Sequence, residues 1–359
     1  MEGLMRKLEI SAIKGTEILA KDVYGQNDII LLPAGIHLKT EYIEPLRAME
    51  IPFIYVEDEY SIGIEEGKIS ENEIKSLCLH KIRGTLDRFS YSMPNQANQV
   101  NHIAEEVILE VLNNEHVIYN IAGVRQRSEE IYSHSLSVCA LSVLLAIRLN
   151  LSKTKVMDVA VGSILHDIGY SCIDVKFKGH HKKNYSLNEL KEIKKHVIYG
   201  YNLVENAEWL SSASKEIILY HHEMCNGAGY PFRLNGDKIK IGSKIVAVCD
   251  SFDSLVYGYM MKPRKVHEAI EYIVGQSGLK FSHQVVKVFN DSVAAFPNGT
   301  IVLTNEKELG IVLRQNNSCP TRPIIRIIRD KDGNKCNKWI EKNLMDYHTL
   351  FIIDTVESL

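Results

Sequence analysis

Residues able to bind a metal recur along the middle of this chain. Glu130 and His134 lie four apart, which puts them on one face of a helix. His166-Asp167 follows, then His196, then the pair His221-His222, then Asp250. Each lies about one helix and its loop beyond the last. A lone helical histidine is ordinarily half-exposed or satisfied, and an isolated aspartate is ordinarily solvated or a cap. The joint pattern resists that bland account. His166-Asp167 closes an apolar run from Val159 to Leu165, and Asp250 follows Ile245-Val246-Ala247-Val248-Cys249. A carboxylate buried beside such a stripe is costly unless it is paired or metal-bound. A set of imidazoles and carboxylates selects Fe, Mn, Zn, Co or Ni over thiolate-seeking metals.

The elements that must position these groups are mostly helices. From about Ile74 to Asp291 the apolar spacing is helical almost throughout. It predicts helices over 135–149, 157–165, 187–205, 213–222, 241–257 and 266–273. Asn226-Gly227-Ala228-Gly229 and Pro263 mark loops between them. Before this region, residues 1–60 read as a small α+β unit. Asp28 to Leu32 is a strand closed by Pro33-Ala34-Gly35, Thr40 to Met49 is helical, and Ile51 to Val56 is a second strand. Residues 61–100 read as a linker and leading helix, and 101–295 as the ligand-bearing domain. After Pro297, β-branched runs at 300–303, 310–313 and 323–328 predict a β-rich tail over 296–359. The fold class expected is mainly α, with a small N-terminal α+β unit and a short C-terminal β appendage.

Composition narrows the partners. Lys and Arg number 42 against 45 Asp and Glu, a net charge of −3, so the basic excess of a duplex nucleic-acid binder is missing. The seven cysteines include no CxxC pair, as free thiols in a reducing compartment would. The N-terminus has no continuous apolar core of a signal peptide. The apolar stretch from Val138 to Leu151 is broken by Arg148 and Asn150, so no membrane span is expected. A cytoplasmic protein is the expectation.

The runs HSLSVCALSVLLAIRLNL, HDIG, EIKKHVIYGYNLV, HHEMCNGAGYP and KIVAVCDSFDSL resemble, in order and spacing, the HD-GYP branch of the HD phosphohydrolase superfamily. The resemblance covers residues 125–295. It implies an all-α domain that hydrolyses cyclic di-GMP, a bacterial second messenger, or a related cyclic dinucleotide. It implies two or three divalent metal ions, Fe or Mn, on His134, His166, Asp167, His196, His221, His222 and Asp250. His166 and Asp167 would be catalytic, with Asp167 bridging two metals. Glu130 matches the extra carboxylate of three-metal members. Gly229, Tyr230 and Pro231 would face the substrate.

Such a site suits the chemistry. A phosphodiester is anionic and repels hydroxide. Two metals about 3.5–4 Å apart neutralise it and lower the pKa of bound water toward about 7. The chain departs from the family at the substrate. The Lys that follows HDIG is replaced by Tyr170, and an expected Arg falls on Tyr259. Lys262, Arg264 or the His180-His181-Lys182-Lys183 loop are the available replacement cations. Two other functions stay open on these residues: a non-catalytic nucleotide receptor or scaffold with an intact metal shell, and a hydrolase for a different phosphate ester. A homodimer is compatible with the sequence.

Overall fold

The computed structural model describes residues 5–24, 30–49, 51, 53–64, 94–113, 130–175, 184–258, 262–317 and 319–356. These fall into two compact units. The helical unit takes the described residues within 94–113 and 130–292 and carries every described candidate site residue. The other unit gathers the strands before residue 65 and those after residue 292.

The helical unit contains α2 (Pro94–Asn113), α3 (Glu130–Arg148), α4 (Lys153–Leu165), α5 (Leu187–Ile193), α6 (His196–Val204), α7 (Ser212–Tyr220), α8 (Ile241–Tyr257), α9 (Val266–Gly275) and α10 (His283–Asn290). Helix α3 is apolar almost all round, which suits only a central helix. Leu136, Val138, Val143, Leu144 and Leu145 are all buried, and α3 packs on α2, α4 and α8. Helix starts are written in serines. Ser152 accepts from Lys155 N at the head of α4, and Ser211 from Ser214 N at the head of α7. Ser186 and Glu189 form a reciprocal capping box on α5. Gly258, at φ 80°, ends α8 in a left-handed cap.

The structure corrects one helix boundary. The stretch 187–205 is not one helix. It breaks at Lys194-Lys195 into α5, which buries no side chain fully, and α6, which buries His196, Val197, Gly200 and Val204. The helical period runs across the break, so the sequence hides the change of direction. The short α10 was also not separately expected.

In the second unit, α1 (Ile43–Ala48) packs with an antiparallel sheet ordered β1 (Arg6–Glu9), β5 (Phe53–Glu57), β2 (Ile18–Leu19) and with the hairpin β3 (Val23–Tyr24)–β4 (Ile30–Leu32). Leu8, Leu19, Leu38, Ile54 and Val56 are the centre of that core. The C-terminal part is a five-stranded antiparallel sheet. Its order is β10 (Ile352–Val356), β6 (Ile301–Thr304), β7 (Leu309–Arg314), β8 (Ile324–Arg329), β9 (Lys335–Asn343). The three inner strands are the three β-branched runs of the sequence. The two outer strands escaped sequence reading because charged and polar residues interrupt them, a pattern usual at sheet edges. Ile64, just after β5, joins the core of Ile301, Ile311, Leu313 and Ile328.

Among the described residues, no helix is long and apolar enough to cross a membrane.

Candidate metal centre

Five helix ends and one helix face meet in the helical unit. His134 comes from the first turns of α3. His166 caps α4, and Asp167 starts the 3-10 turn Ile168–Cys172. His196 opens α6, His221 and His222 follow α7, and Asp250 lies mid-way along α8. Close backbone contact sets the register between two of these. A Cβ on Gly169 would sit 1.9 Å from the carbonyl oxygen of His196 and 2.5 Å from Gly200 N. Glycine is therefore required at the HDIG turn, and it brings Asp167 and His196 together.

The resulting cluster is buried. His134, His166 and His196 are fully shielded, with Asp167 at 5% and Asp250 at 6% exposure. Asp167 divides its carboxylate between two imidazole pairs. Oδ1 lies 3.3 Å from His196 Nε2 and 3.6 Å from His221 Nε2. Oδ2 lies 3.4 Å from His166 Nε2 and 3.6 Å from His134 Nε2. Asp250 spans in the same way, with Oδ1 3.3 Å from His134 Nε2 and Oδ2 3.7 Å from His222 Nδ1. Donor atoms of Asp167, His196, His221 and His222 lie within 4.8 Å of one another, and so do those of His134, His166 and Asp250.

The ring orientations are set from behind. His166 Nδ1 donates to Ser163 O at 2.7 Å, His196 Nδ1 to Ile193 O at 2.8 Å, and His221 Nδ1 to Ile218 O at 3.0 Å. These bonds fix the tautomer and leave a lone pair on each Nε2. His196 Nε2 and His221 Nε2 then face each other at 3.3 Å with no proton between them. Two lone pairs so placed repel, and a cation relieves that repulsion. The residues fit divalent metal ions.

His134 differs. Its Nδ1 is 2.5 Å from Asp253 Oδ2, a buried carboxylate. Burial opposes its protonation, yet Asp253 and then Asp250 raise its pKa to about 10. Burial lowers His166, takes His196 down to about 4, and takes His222 well below the usual imidazole range. Burial works against ionisation of Asp167 and Asp250, but the surrounding imidazoles hold both low and charged. The pocket thus sets neutral His166, His196 and His222 and a His134 imidazolium against the charged carboxylates of Asp167 and Asp250, an environment that attracts cations.

Around the cluster lies an aromatic rim. Tyr170 stacks on His196, with ring centroids 4.4 Å apart and an interplanar angle of 7°. Tyr230 stacks on His222 at 4.8 Å and meets His196 edge-on at 6.4 Å. The loop that carries Tyr230 is tightly clamped. Glu223, 3% exposed, accepts from Phe232 N at 2.6 Å and Leu234 N at 2.9 Å. Tyr230 N donates to His222 O, and Tyr230-Pro231 is cis. A Cβ on Gly229 would meet Met224 N at 2.4 Å, so that position too requires glycine.

Of the residues singled out from sequence, His134, His166, Asp167, His196, His221, His222 and Asp250 converge, with Tyr170 and Tyr230 beside them. Lys262 is exposed between α8 and α9. Tyr259, the side chain of Glu130 and the loop 180–183 lie outside the described residues. Sequence reasoning missed Asp253 and Glu223. Asp253 follows Asp250 by one turn in an apolar helix, a second costly carboxylate on the same face. Glu223 directly follows His221-His222 and precedes the glycine-rich loop.

The chain is similar in sequence to known proteins. Residues 117–285 match the family model described as HD domain, and residues 301–358 match a KOW domain associated with HD domain. A curated cyclic di-GMP phosphodiesterase of Pseudomonas aeruginosa is 26% identical over 264 residues, covering 72% of this chain and 63% of that protein. One from Thermotoga maritima is 32% identical over 188 residues, 52% of this chain and 49% of that one. A 3'3'-cGAMP-specific phosphodiesterase of Vibrio cholerae is 32% identical over 175 residues, 48% of this chain and 33% of that one. The chain therefore spans under two thirds of the length of each of these relatives. Residues 117–285 thus match an HD domain and are similar to curated cyclic dinucleotide phosphodiesterases, with the HDIG and GYP motifs set around one buried imidazole–carboxylate cluster.

Proposed function

We propose that this protein hydrolyses a phosphodiester bond of cyclic di-GMP, or of a related cyclic dinucleotide, at the cluster between His134 and Asp250. The observation that carries the proposal is the split of Asp167, one carboxylate oxygen toward each imidazole pair. That split would serve two metal positions. One would take Asp167, His196, His221 and His222, and the other Asp167, His134, His166 and Asp250. Nitrogen and oxygen donors of this kind suit Fe or Mn. Glu130 begins α3 one turn before His134 and is the residue to supply a third position.

Divalent ions, when bound, lower the pKa of water and neutralise charge developing on phosphorus. The chain's own residues do the rest. His166, His196 and His221 present unprotonated Nε2 atoms because their Nδ1 hydrogens are committed to backbone carbonyls. Asp253 holds the His134 ring in place and keeps the proton on Nδ1, so Nε2 is the atom that would hold a cation. Tyr170 and Tyr230 cover two imidazoles and keep bulk water off the inner edge of the cluster.

The test is product analysis with Fe- or Mn-loaded full chain on cyclic di-GMP, 3'3'-cGAMP and a nucleoside monophosphate. Linear dinucleotide from a cyclic substrate, lost in His166→Ala, is the expected result. Intact cyclic dinucleotides in both proteins sink the proposal, and release of phosphate from the monoester alone favours a different phosphate ester. One observation favours a second function, a metal-bearing receptor without turnover. Where the family has a cation after HDIG, Tyr170 lies flat on His196. Tight dinucleotide binding without product identifies that case.

A further inference from the structure

Taking the phosphodiesterase function as given, a cyclic dinucleotide brings two phosphates, of which the metal cluster engages one. The second needs its own positive charge. The two positions where the family places cations are tyrosines here. Tyr170 is committed to stacking on His196.

The open edge of the cluster can be located from burial. His134, His166, His196 and His221 are shut off from solvent, while the His222 side chain is 25% exposed and Tyr170 and Tyr230 are half-buried. Substrate must arrive over that edge. Several cations of the helical unit are tied elsewhere. Lys195 pairs with Glu192 at 2.7 Å, Lys280 donates to Ser251 Oγ at 3.1 Å, and Arg264 lies over the Tyr272 ring at 5.2 Å.

Lys194 is different. It sits at the break between α5 and α6, two residues before His196, and it is exposed. Its Nζ lies 5.3 Å from the centroid of Tyr230, the ring stacked on His222. Among the described residues it makes no ion pair. A cation–π contact at an exposed site is worth only about 0.5–1 kcal/mol, so it aims the ammonium without consuming its charge.

We propose that Lys194 is a substrate-binding residue, the cation that pairs with the dinucleotide phosphate not held by the metal cluster. The break that turns α5 into α6 places Lys194 and His196 on the same edge of the site. In this arrangement Tyr230 is the platform that carries Lys194 toward the substrate.

The experiment compares wild type, Lys194→Glu, Lys194→Arg and the exposed α5 control Lys191→Glu, all as metal-loaded full chains. Binding of a phosphorothioate analogue of cyclic di-GMP is measured by calorimetry, and KM and kcat on cyclic di-GMP separately. Loss of one charge-assisted phosphate contact predicts about ten- to hundredfold weaker binding in Lys194→Glu. KM should rise in step while kcat changes by less than about threefold. Lys194→Arg should bind within about threefold of wild type, Lys191→Glu should match it, and metal content should not move. Equal affinity of Lys194→Glu and wild type overturns the proposal, even if wild type hydrolyses the substrate. Loss of metal from Lys194→Glu also overturns it, since the residue would then be structural. Weakened binding in Lys194→Glu, with no turnover by wild type, supports Lys194 and sinks the hydrolase function alone.

Discussion

The inner cluster and its aromatic rim obey different rules. In the cluster, every described imidazole except His222 is held from behind by a carbonyl or carboxylate on Nδ1, and each carboxylate faces imidazoles on both oxygens. At the rim, the Tyr170 and Tyr230 rings stack on His196 and His222, and Lys194 lies over the Tyr230 ring. Geometry that must hold an ion to a few tenths of an ångström is over-determined by hydrogen bonds. Geometry that must admit a substrate is left to stacking, which tolerates exchange. The proposed metal ligands therefore match the HD-GYP motifs, while the proposed substrate contacts depart from them.

The largest effect that can break this contrast is at Asp167. Asp167→Asn keeps the size of the side chain and removes the charge that faces four imidazoles. Bound metal should fall below one ion per chain by elemental analysis, and turnover should drop by at least about a thousandfold. Metal content equal to wild type would show that Asp167 does not bridge, and the two-position arrangement would fail.

Asp253→Asn probes the support rather than the ligands. Outer partners of metal-bound histidines typically matter by about ten- to hundredfold in metal affinity. That range is expected here, with all ligands present and the helical signal unchanged by circular dichroism. The same variant should lose most of the proton release that accompanies metal binding at pH 8. In wild type that proton is expected from His134, whose pKa is raised to about 10 by Asp253 and Asp250 against its burial. Calorimetry in buffers of different ionisation enthalpy counts the protons. Release undiminished in Asp253→Asn would place the proton elsewhere.

Acidity gives a middle-sized effect on the ion-free protein. His196, at about 4 folded against 6.5 unfolded, binds its proton later than the unfolded chain does. Between those values the unfolded chain holds more protons, so stability falls as pH drops from 6.5 toward 4. The slope is up to about 1.4 kcal/mol per pH unit for one such group. His166 and His222, also lowered by burial, steepen the fall. His134 has the opposite sign. Its raised pKa stabilises the fold fully below 6.5, and that contribution fades as pH climbs to about 10. Urea midpoints after chelation should therefore peak close to pH 6.5. A plateau from pH 5 to 9 would contradict the charge states assigned to the cluster.

The cluster was legible in sequence because its members are polar residues interrupting apolar helical runs, and such interruptions need partners. His166-Asp167 after Val159–Leu165 and Asp250 after Ile245–Cys249 were readable for that reason. Asp253 carries the same signature one turn later, yet a second carboxylate looks redundant until His134 Nδ1 is seen 2.5 Å away. The break at Lys194-Lys195 was not legible, because a capped α5 and a buried α6 share one helical period across it. The inner strands of the five-stranded sheet announced themselves by β-branched runs. The edge strands β9 and β10 did not, since residues such as Lys338, Glu341 and Asp354 suit an exposed edge and blur the alternation. Burial leaves a mark on sequence, whereas chain direction and second-layer support are decided by packing.

The smallest effect sharpens the contrast most. Tyr170→Phe preserves a ring of the same outline over His196 and deletes only the hydroxyl. If the rim acts through stacking, metal content should match wild type and kcat/KM should stay within about twofold, a change of a few tenths of a kcal/mol. Tyr170→Ala removes the stack itself, exposes the His196 ring to water and should cost more, about 0.5–1.5 kcal/mol by the usual worth of a ring pair. The ordering matters more than either value. A Phe variant that loses activity as far as the Ala variant would mean that the Tyr170 hydroxyl touches substrate. The departure from the family cation would then be an exchange of one polar contact for another, and the rim would belong with the chemistry rather than around it.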